Sequence, residues 1–126
     1  MRRQDRRALG LAAFIGGAGV MHFVRPEFFD EIVPDWMPGA PRTTTYVSGA
    51  VELTGALLVA HPRTRRFGAW WCFGTFLGVF PANIQTVLDG GVRSAKPPFD
   101  TRLAATLRLP LQLPMLAVAR RVAHDP

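Results

Sequence analysis

Read as a pattern of apolar and polar positions, the chain divides into four long apolar runs joined by short charged or proline-rich connections. The runs cover residues 8–24 (ALGLAAFIGGAGVMHFV), 43–60 (which includes YVSGAVELTGALLVA), 67–88 (FGAWWCFGTFLGVFPANIQTVL) and 103–119 (LAATLRLPLQLPMLAVA). Each approaches the about 20 residues a helix needs to cross a hydrocarbon layer. Apolar residues recur around most of each helical circumference, without a wide polar face at 3.6-residue spacing. Four such helices in water would leave a large apolar surface unburied. The pattern therefore predicts an all-α protein, a four-helix transmembrane bundle forming one domain over residues 1–126. Gly, Pro and polar residues interrupt all four runs, and this lowers the mean hydropathy for a membrane protein.

The first connection, RPEFFDEIVPDWMPGAPR, carries a pattern of its own. Pro26 suits a first helical turn. Phe28, Phe29, Ile32 and Val33 fall on one side, and Glu27, Asp30 and Glu31 on the other. Pro34, Pro38 and Pro41 stop the helix and stiffen the chain beyond it. The expectation is a short amphipathic interfacial helix on the outer surface, closing the end of the bundle, with Trp36 at the headgroup level.

Charge refines this picture. The net charge is +6, yet the basic residues gather in short groups between apolar runs and form no helical stripe interleaved with aromatics. No nucleic-acid motif is present, so the charge is read as membrane topology and no nucleic-acid partner is expected. Nine basic residues (Arg2, Arg3, Arg6, Arg7, Arg63, Arg65, Arg66, Arg120, Arg121) flank one side of the spans, against five (Arg25, Arg42, Arg93, Lys96, Arg102) on the other. The excess places both termini in the cytoplasm of a multi-pass protein of the plasma (inner) membrane. The basic start followed by an apolar run resembles a secretory signal, but no small-residue cleavage site follows, so the segment is read as an uncleaved first helix.

Little here suggests autonomous catalysis. Cys72 is the single Cys, which excludes an intrachain disulfide and a CxxC redox motif. His22, His61 and His124 are not at metal-ligand spacing, and neither a phosphate loop nor a nucleophile elbow occurs. No intrinsic cofactor or metal is expected, and the chain is not expected to be an enzyme on its own.

The polar residues inside the runs are the candidate site. At about 1.5 Å per residue, Glu52 lies about 13 Å from the outer end of its span, Gln112 about 13 Å and Arg108 about 7 Å. Asn83 is about 7 Å deep, Gln85 about 4 Å and His22 about 3 Å. Each span thus puts a polar group in the outer half. Arg108 and Gln112, and likewise Ser48 and Glu52, are spaced i, i+4 and share a helical face. An intramembrane acid or Arg costs about 2.5–3.5 kcal/mol, roughly what the Leu and Val content of its own span returns. Pairing is therefore expected, Glu52 with Arg108, with Asn83 and Gln112 satisfying the remaining donors and lone pairs. The site comprises Glu52, Arg108, Gln112, Asn83, His22 and Ser48, and serves as a strut between helices, a polar cavity, or both. Pro81 and Pro110 free backbone carbonyls beside this cluster. Gly74 and Gly78 form a GxxxG and, with Gly16, Gly17 and Gly19, are read as packing positions. Trp70, Trp71 and Phe73 read as an aromatic belt, and Cys72 as an inert buried thiol.

MHFVRPEFFDEIVPDWMP, SGAVELTGALL, GVFPANIQ and LRLPLQLP together resemble the DoxX-like family of small bacterial integral membrane proteins, over about Leu9 to Ala119. The resemblance rests on His22-Phe23, Pro26, Phe29, Ile32, Pro34, Ser48-Gly49, Glu52, Pro81, Asn83, Arg108, Pro110 and Gln112 in combination. It implies a four-helix membrane bundle, and association with quinone-linked oxidoreductases or oxidative-stress complexes. The lack of a Cys pair departs from a dithiol role.

The functional expectation is a membrane accessory protein whose outward-facing intramembrane site binds a protein partner or a small, lipid-like ligand. The alternative is a quinone-linked subunit of a membrane oxidoreductase, in which Glu52, Arg108 and Asn83 contact a quinone and another subunit carries the electrons. A small transporter acting as an oligomer is the third reading.

Overall fold

The computed structural model describes residues 2–91 and 101–126. These form five helices: α1 (Arg3–Val24), α2 (Pro26–Asp30), α3 (Pro41–Ala60), α4 (Arg65–Leu88) and α5 (Arg102–His124). No strand occurs among the described residues, so the all-helical expectation holds. The four long helices contain the four apolar runs. Arg93 and Lys96, two of the residues in the charge count, lie outside the described residues.

Local chemistry sets the helix ends. Pro26 and Pro41 open α2 and α3, where a missing N–H costs nothing. The Thr101 side chain caps α5 by accepting from the Ala104 N–H at 3.1 Å. The end of α4 is a Schellman turn: Gly91 N–H donates to Thr86 O and Gly90 N–H to Val87 O. Gly90 makes this turn at φ +89°, in the left-handed region where a side chain would clash.

α1 packs chiefly along α3, and α4 along α5. α3 and α4 join these two pairs, α1 and α5 touch lightly, and α3 and α5 lie across the diagonal. Gln4 Nε2 donates to Asp125 Oδ1 at 3.0 Å, bringing the two terminal segments together. The tight α3–α4 turn lies at the same end.

There Arg65, only 3% exposed, acts as a knot. Its Nε donates to Val59 O (2.9 Å), its Nη2 to Ala60 O (3.3 Å) and its Nη1 to Asp5 Oδ1 (2.9 Å). One guanidinium thus satisfies carbonyls left open at the end of α3 and ties α1 to α4. The charge count treats Arg65 as a loop cation; the fold uses it as a helix cap. That hydrogen bond holds the Asp5 carboxyl below its ordinary value, helped by the charge of Arg2. A lowered folded-state value means stability that is present above the unfolded value and lost as pH falls through the folded one. Acid below about pH 4 is therefore expected to loosen this end of the bundle. Asp5→Asn should remove that part of the acid dependence in detergent melts; an unchanged profile would disprove the assignment.

Glycine marks the close approaches, though not where GxxxG suggests. A Cβ at Gly49 would sit 2.8 Å from His22 Cβ, and one at Gly19 would sit 3.1 Å from Gly49 O. One at Gly68 would meet Val59 N at 2.6 Å. Gly74 and Gly78 are exposed with nothing near, so the expectation that they pack helices together is corrected. Gly78 borders the cavity described below, where a Cβ would meet open space. The aromatic belt needs a smaller correction. Trp70 is exposed, whereas Trp71 points inward and its Nε1 donates to Val51 O at 2.9 Å, linking α4 to α3.

The buried apolar cluster is built of small side chains, with Ala8, Ala56, Val59, Ala69, Cys72, Ala119 and Val122 among them, joined by Leu11, Ile15 and Phe76. Large apolar side chains face outward instead, for example Leu57 (74% exposed), Leu103 (68%) and Phe67 (62%). By length and composition α1 alone, near the N-terminus, qualifies as a membrane-crossing helix among the described residues. A signal sequence or the core helix of a soluble protein shares those properties. In α3, α4 and α5, residues such as Glu52, Asn83, Gln85, Arg108 and Gln112 dilute the apolar content.

Candidate functional site

At the end of the bundle away from the termini, the helices part around a cavity of about 320 Å³. All six residues singled out from the sequence line it: His22 from α1, Ser48 and Glu52 from α3, Asn83 from α4, Arg108 and Gln112 from α5. Phe14, Ile15, Phe76, Val79 and Met115 supply apolar wall. Gln85 is directed elsewhere, donating to Asp89 Oδ1 at 3.0 Å. Pro81 lines the cavity; Pro110 is exposed and does not.

The first connection folds over part of this end. The helix here is α2, of five residues, with turns after Asp30, and it is shorter than the sequence pattern predicts. Its orientation also corrects the expectation of an apolar face laid on the outer surface, because Phe29, Ile32 and Val33 line the cavity. Asp30 explains why. Arg42 Nε donates to Asp30 Oδ2 (2.8 Å) and Thr45 Oγ1 to Asp30 Oδ1 (2.6 Å), which pins α2 to the start of α3. Hydrogen bonds to Asp30 and Tyr46 hold the Arg42 guanidinium above its ordinary value. Trp36 remains 65% exposed.

His22, Glu52, Asn83 and Gln112 are each at least nine-tenths buried. The His22 ring stacks on Phe29, with centroids 3.7 Å apart and planes 16° from parallel. Its Nδ1 lies 2.6 Å from Ala18 O, which assigns the hydrogen on that nitrogen to the carbonyl. The same Nδ1 is 3.4 Å from Glu52 Oε2, close enough for attraction, but its hydrogen is already committed. Glu52 Oε2 is consequently left without a hydrogen-bond donor, and so is Gln112 Oε1.

Glu52 and Arg108 do not form the expected ion pair. Among the described residues, the basic group within 4 Å of Glu52 is His22. Arg108 Nη2 instead donates a long bond to Asn83 Oδ1 (3.5 Å), and its guanidinium sits 5.5 Å from the Phe28 ring centroid. The reason is topological: α3 and α5 are diagonal in the bundle, and the cavity lies between them. Depth along the spans puts the two residues near one level but carries no information about which helices are neighbours. Because the two share one cavity without touching, a double-mutant cycle with Glu52→Gln and Arg108→Met should give a coupling of at most about 0.5–1 kcal/mol, the low end of the range for interacting groups. Coupling well above that in detergent unfolding would restore the direct pair.

Sequence reasoning missed Phe28 as the face beneath Arg108 and Asp30 with Thr45 as the anchor of α2. The available signal was Asp30 itself, an acid on a helix of only five residues, ahead of a helix start carrying Arg42 and Thr45. No group of three or more His, Cys, Asp or Glu among the described residues is arranged to hold a metal ion. The arrangement provides a pocket with apolar walls, a carboxylate, a guanidinium, an adaptable amide and a flat aromatic surface. Chemically, such an arrangement can hold and orient a small molecule.

No curated protein and no solved structure matches this chain. A family model does: residues 11–123 match the model described as a domain of unknown function (DUF8561), and the chain belongs to that family.

Proposed function

We propose that the protein is a non-enzymatic, multi-pass accessory protein of the plasma membrane. It crosses the bilayer four times, at about residues 8–24, 43–60, 67–88 and 103–119, with both termini cytoplasmic. Its cavity, centred on Glu52, faces outward within the membrane and takes a small lipid-like ligand or a segment of a partner. The single observation that carries this reading is the inverted polarity of the bundle. His22, Glu52, Asn83 and Gln112 are inside, while Leu57, Leu88, Leu103, Leu107, Leu111 and Leu113 are outside. Water would penalise that distribution at every exposed Leu; lipid tails remove the penalty and reward internal satisfaction of polar groups. The segment of α1 apolar enough to span is only 33% buried inside the protein, as suits a helix facing lipid. Intramembrane ionisable residues mark ligand or ion sites by default, and the Glu52 cavity meets that description.

A second reading keeps the cavity and makes its ligand a quinone within a redox complex. The stacked His22–Phe29 surface and the Arg108 guanidinium favour it, offering a ring face and a donor to a carbonyl. Kinship with DoxX-like proteins is proposed on the same residues, since those that carry the resemblance include His22, Ser48, Glu52, Asn83, Arg108 and Gln112 of the cavity lining.

Reporter fusions test the topology. A fluorescent protein that matures only in the cytoplasm should be bright after Pro126, and alkaline phosphatase should be active when fused after Gly39. Release of the protein from membranes by alkaline carbonate, or an inactive phosphatase at Gly39, would overturn the four-span arrangement.

A further inference from the structure

We infer that the cavity's ligand is an uncharged amphiphile whose head carries a hydroxyl, of phenol or alcohol type, on an apolar body. The inference rests on the reading of the cavity as an intramembrane ligand site and specifies its ligand. Glu52 on α3 and Gln112 on α5 both line this cavity, and each holds one buried acceptor oxygen, Oε2 and Oε1, without a donor. A buried polar atom left unmatched is costly, and native structures rarely keep two in one place without something to fill them. The Gln112 amide can turn to suit a guest, whereas Glu52, when ionised, can only accept. Among the described residues Arg108 uses one of its five N–H donors, in a bond of 3.5 Å to Asn83, so a head that also accepts is favoured.

Charge narrows the class further. The cavity holds one carboxylate and one guanidinium that do not neutralise each other by contact. With Glu52 ionised, an ammonium head gains at Glu52 and loses at Arg108, and a carboxylate head does the reverse. A hydroxyl donates to Glu52 or Gln112 and accepts from Arg108 at no such cost. Phe14, Phe76, Val79 and Met115 leave the remainder of the volume suited to a ring or chain.

The test compares 4-hexylphenol with its methyl ether, which keeps the ring, the chain and the acceptor oxygen and removes only the donor. Binding to the purified protein is measured at equal micellar mole fraction by calorimetry and thermal shift. The expected result is phenol binding at least about tenfold tighter than the ether, the size of one well-made hydrogen bond to a charged acceptor. In Glu52→Leu that ratio should fall to about twofold or less. Gln112→Leu provides the second variant should the first fold poorly, and should also reduce the ratio. Equal binding of phenol and ether to the unmutated protein overturns the hydroxyl inference and leaves the ligand-site reading standing. Failure of both to bind overturns the two together. A phenol preference that survives both substitutions overturns the assignment to these acceptors.

Discussion

Replacing Arg65 by Met is expected to lower the thermal midpoint of the purified protein by about 10 °C. The side chain is buried and donates to Val59 O, Ala60 O and Asp5 Oδ1 at once. Met fills much of the volume but offers no donor, so helix-terminal carbonyls and a partly buried carboxylate lose their partner. Asp5 retains some access to solvent, which discounts the loss at that group. About 2–3 kcal/mol remains, equivalent to about 10 °C for a chain of this size. Arg65→Lys should recover less than half, because an ammonium lacks the planar fork that reaches all three acceptors. A midpoint within about 2 °C of the unmutated protein would show that the knot contributes nothing.

The second large effect is expected from a single methyl group. Gly68→Ala puts a Cβ 2.6 Å from both Leu58 Cβ and Val59 N, at the place where α4 turns back along α3. Two of the three nearest atoms are backbone, so no rotamer change relieves the overlap, and the helices must separate by nearly an ångström. Overpacking of this kind costs about 1–3 kcal/mol, and the melting point should fall by about 5–10 °C. Gly74→Ala and Gly78→Ala are the controls. Both positions are open, and Ala in a helix interior is better than Gly by about 0.5–1 kcal/mol, so melting should hold or rise. If the Gly68 and Gly74 variants melt alike, the close approach of α3 and α4 is wrong.

These two predictions show where the sequence was readable. The long helices were legible because each apolar run is bounded by charge, proline or glycine: Pro41 opens α3, Gly90 and Gly91 end α4, and Thr101 caps α5. The members of the site were legible because a polar side chain in an apolar run is conspicuous, and helical rise converts its position into depth. His22, Ser48, Glu52, Asn83, Arg108 and Gln112 were found in this way. Which of them touch was not legible. Depth is a coordinate along the helix axis, whereas contact between Glu52 and Arg108 depends on which helices are neighbours, and α3 lies diagonal to α5. The role of Arg65 was hidden for a related reason: as a cation beside Arg63 and Arg66 it looks like part of a topology signal. The GxxxG of α4 misled because spacing places two glycines on one face without saying what that face meets. Satisfying Asp30 from α3 turned α2 inward, and that long-range demand left no trace in the pattern of residues 26–33.

The central claim is that lipid surrounds the apolar exterior while an outward-opening polar cavity lies within. Adjacent residues on α5 test it directly: Leu111 is 59% exposed on the outer face, and Gln112 is 5% exposed and lines the cavity. In a Cys72→Ala background, each is replaced by Cys and intact cells are treated from outside with a small, charged, membrane-impermeant thiol reagent. Gln112→Cys is predicted to react faster than Leu111→Cys, reversing the order that exposure in water would give. If Leu111→Cys reacts faster, the apolar face is bathed in water and not in lipid, and the account is contradicted.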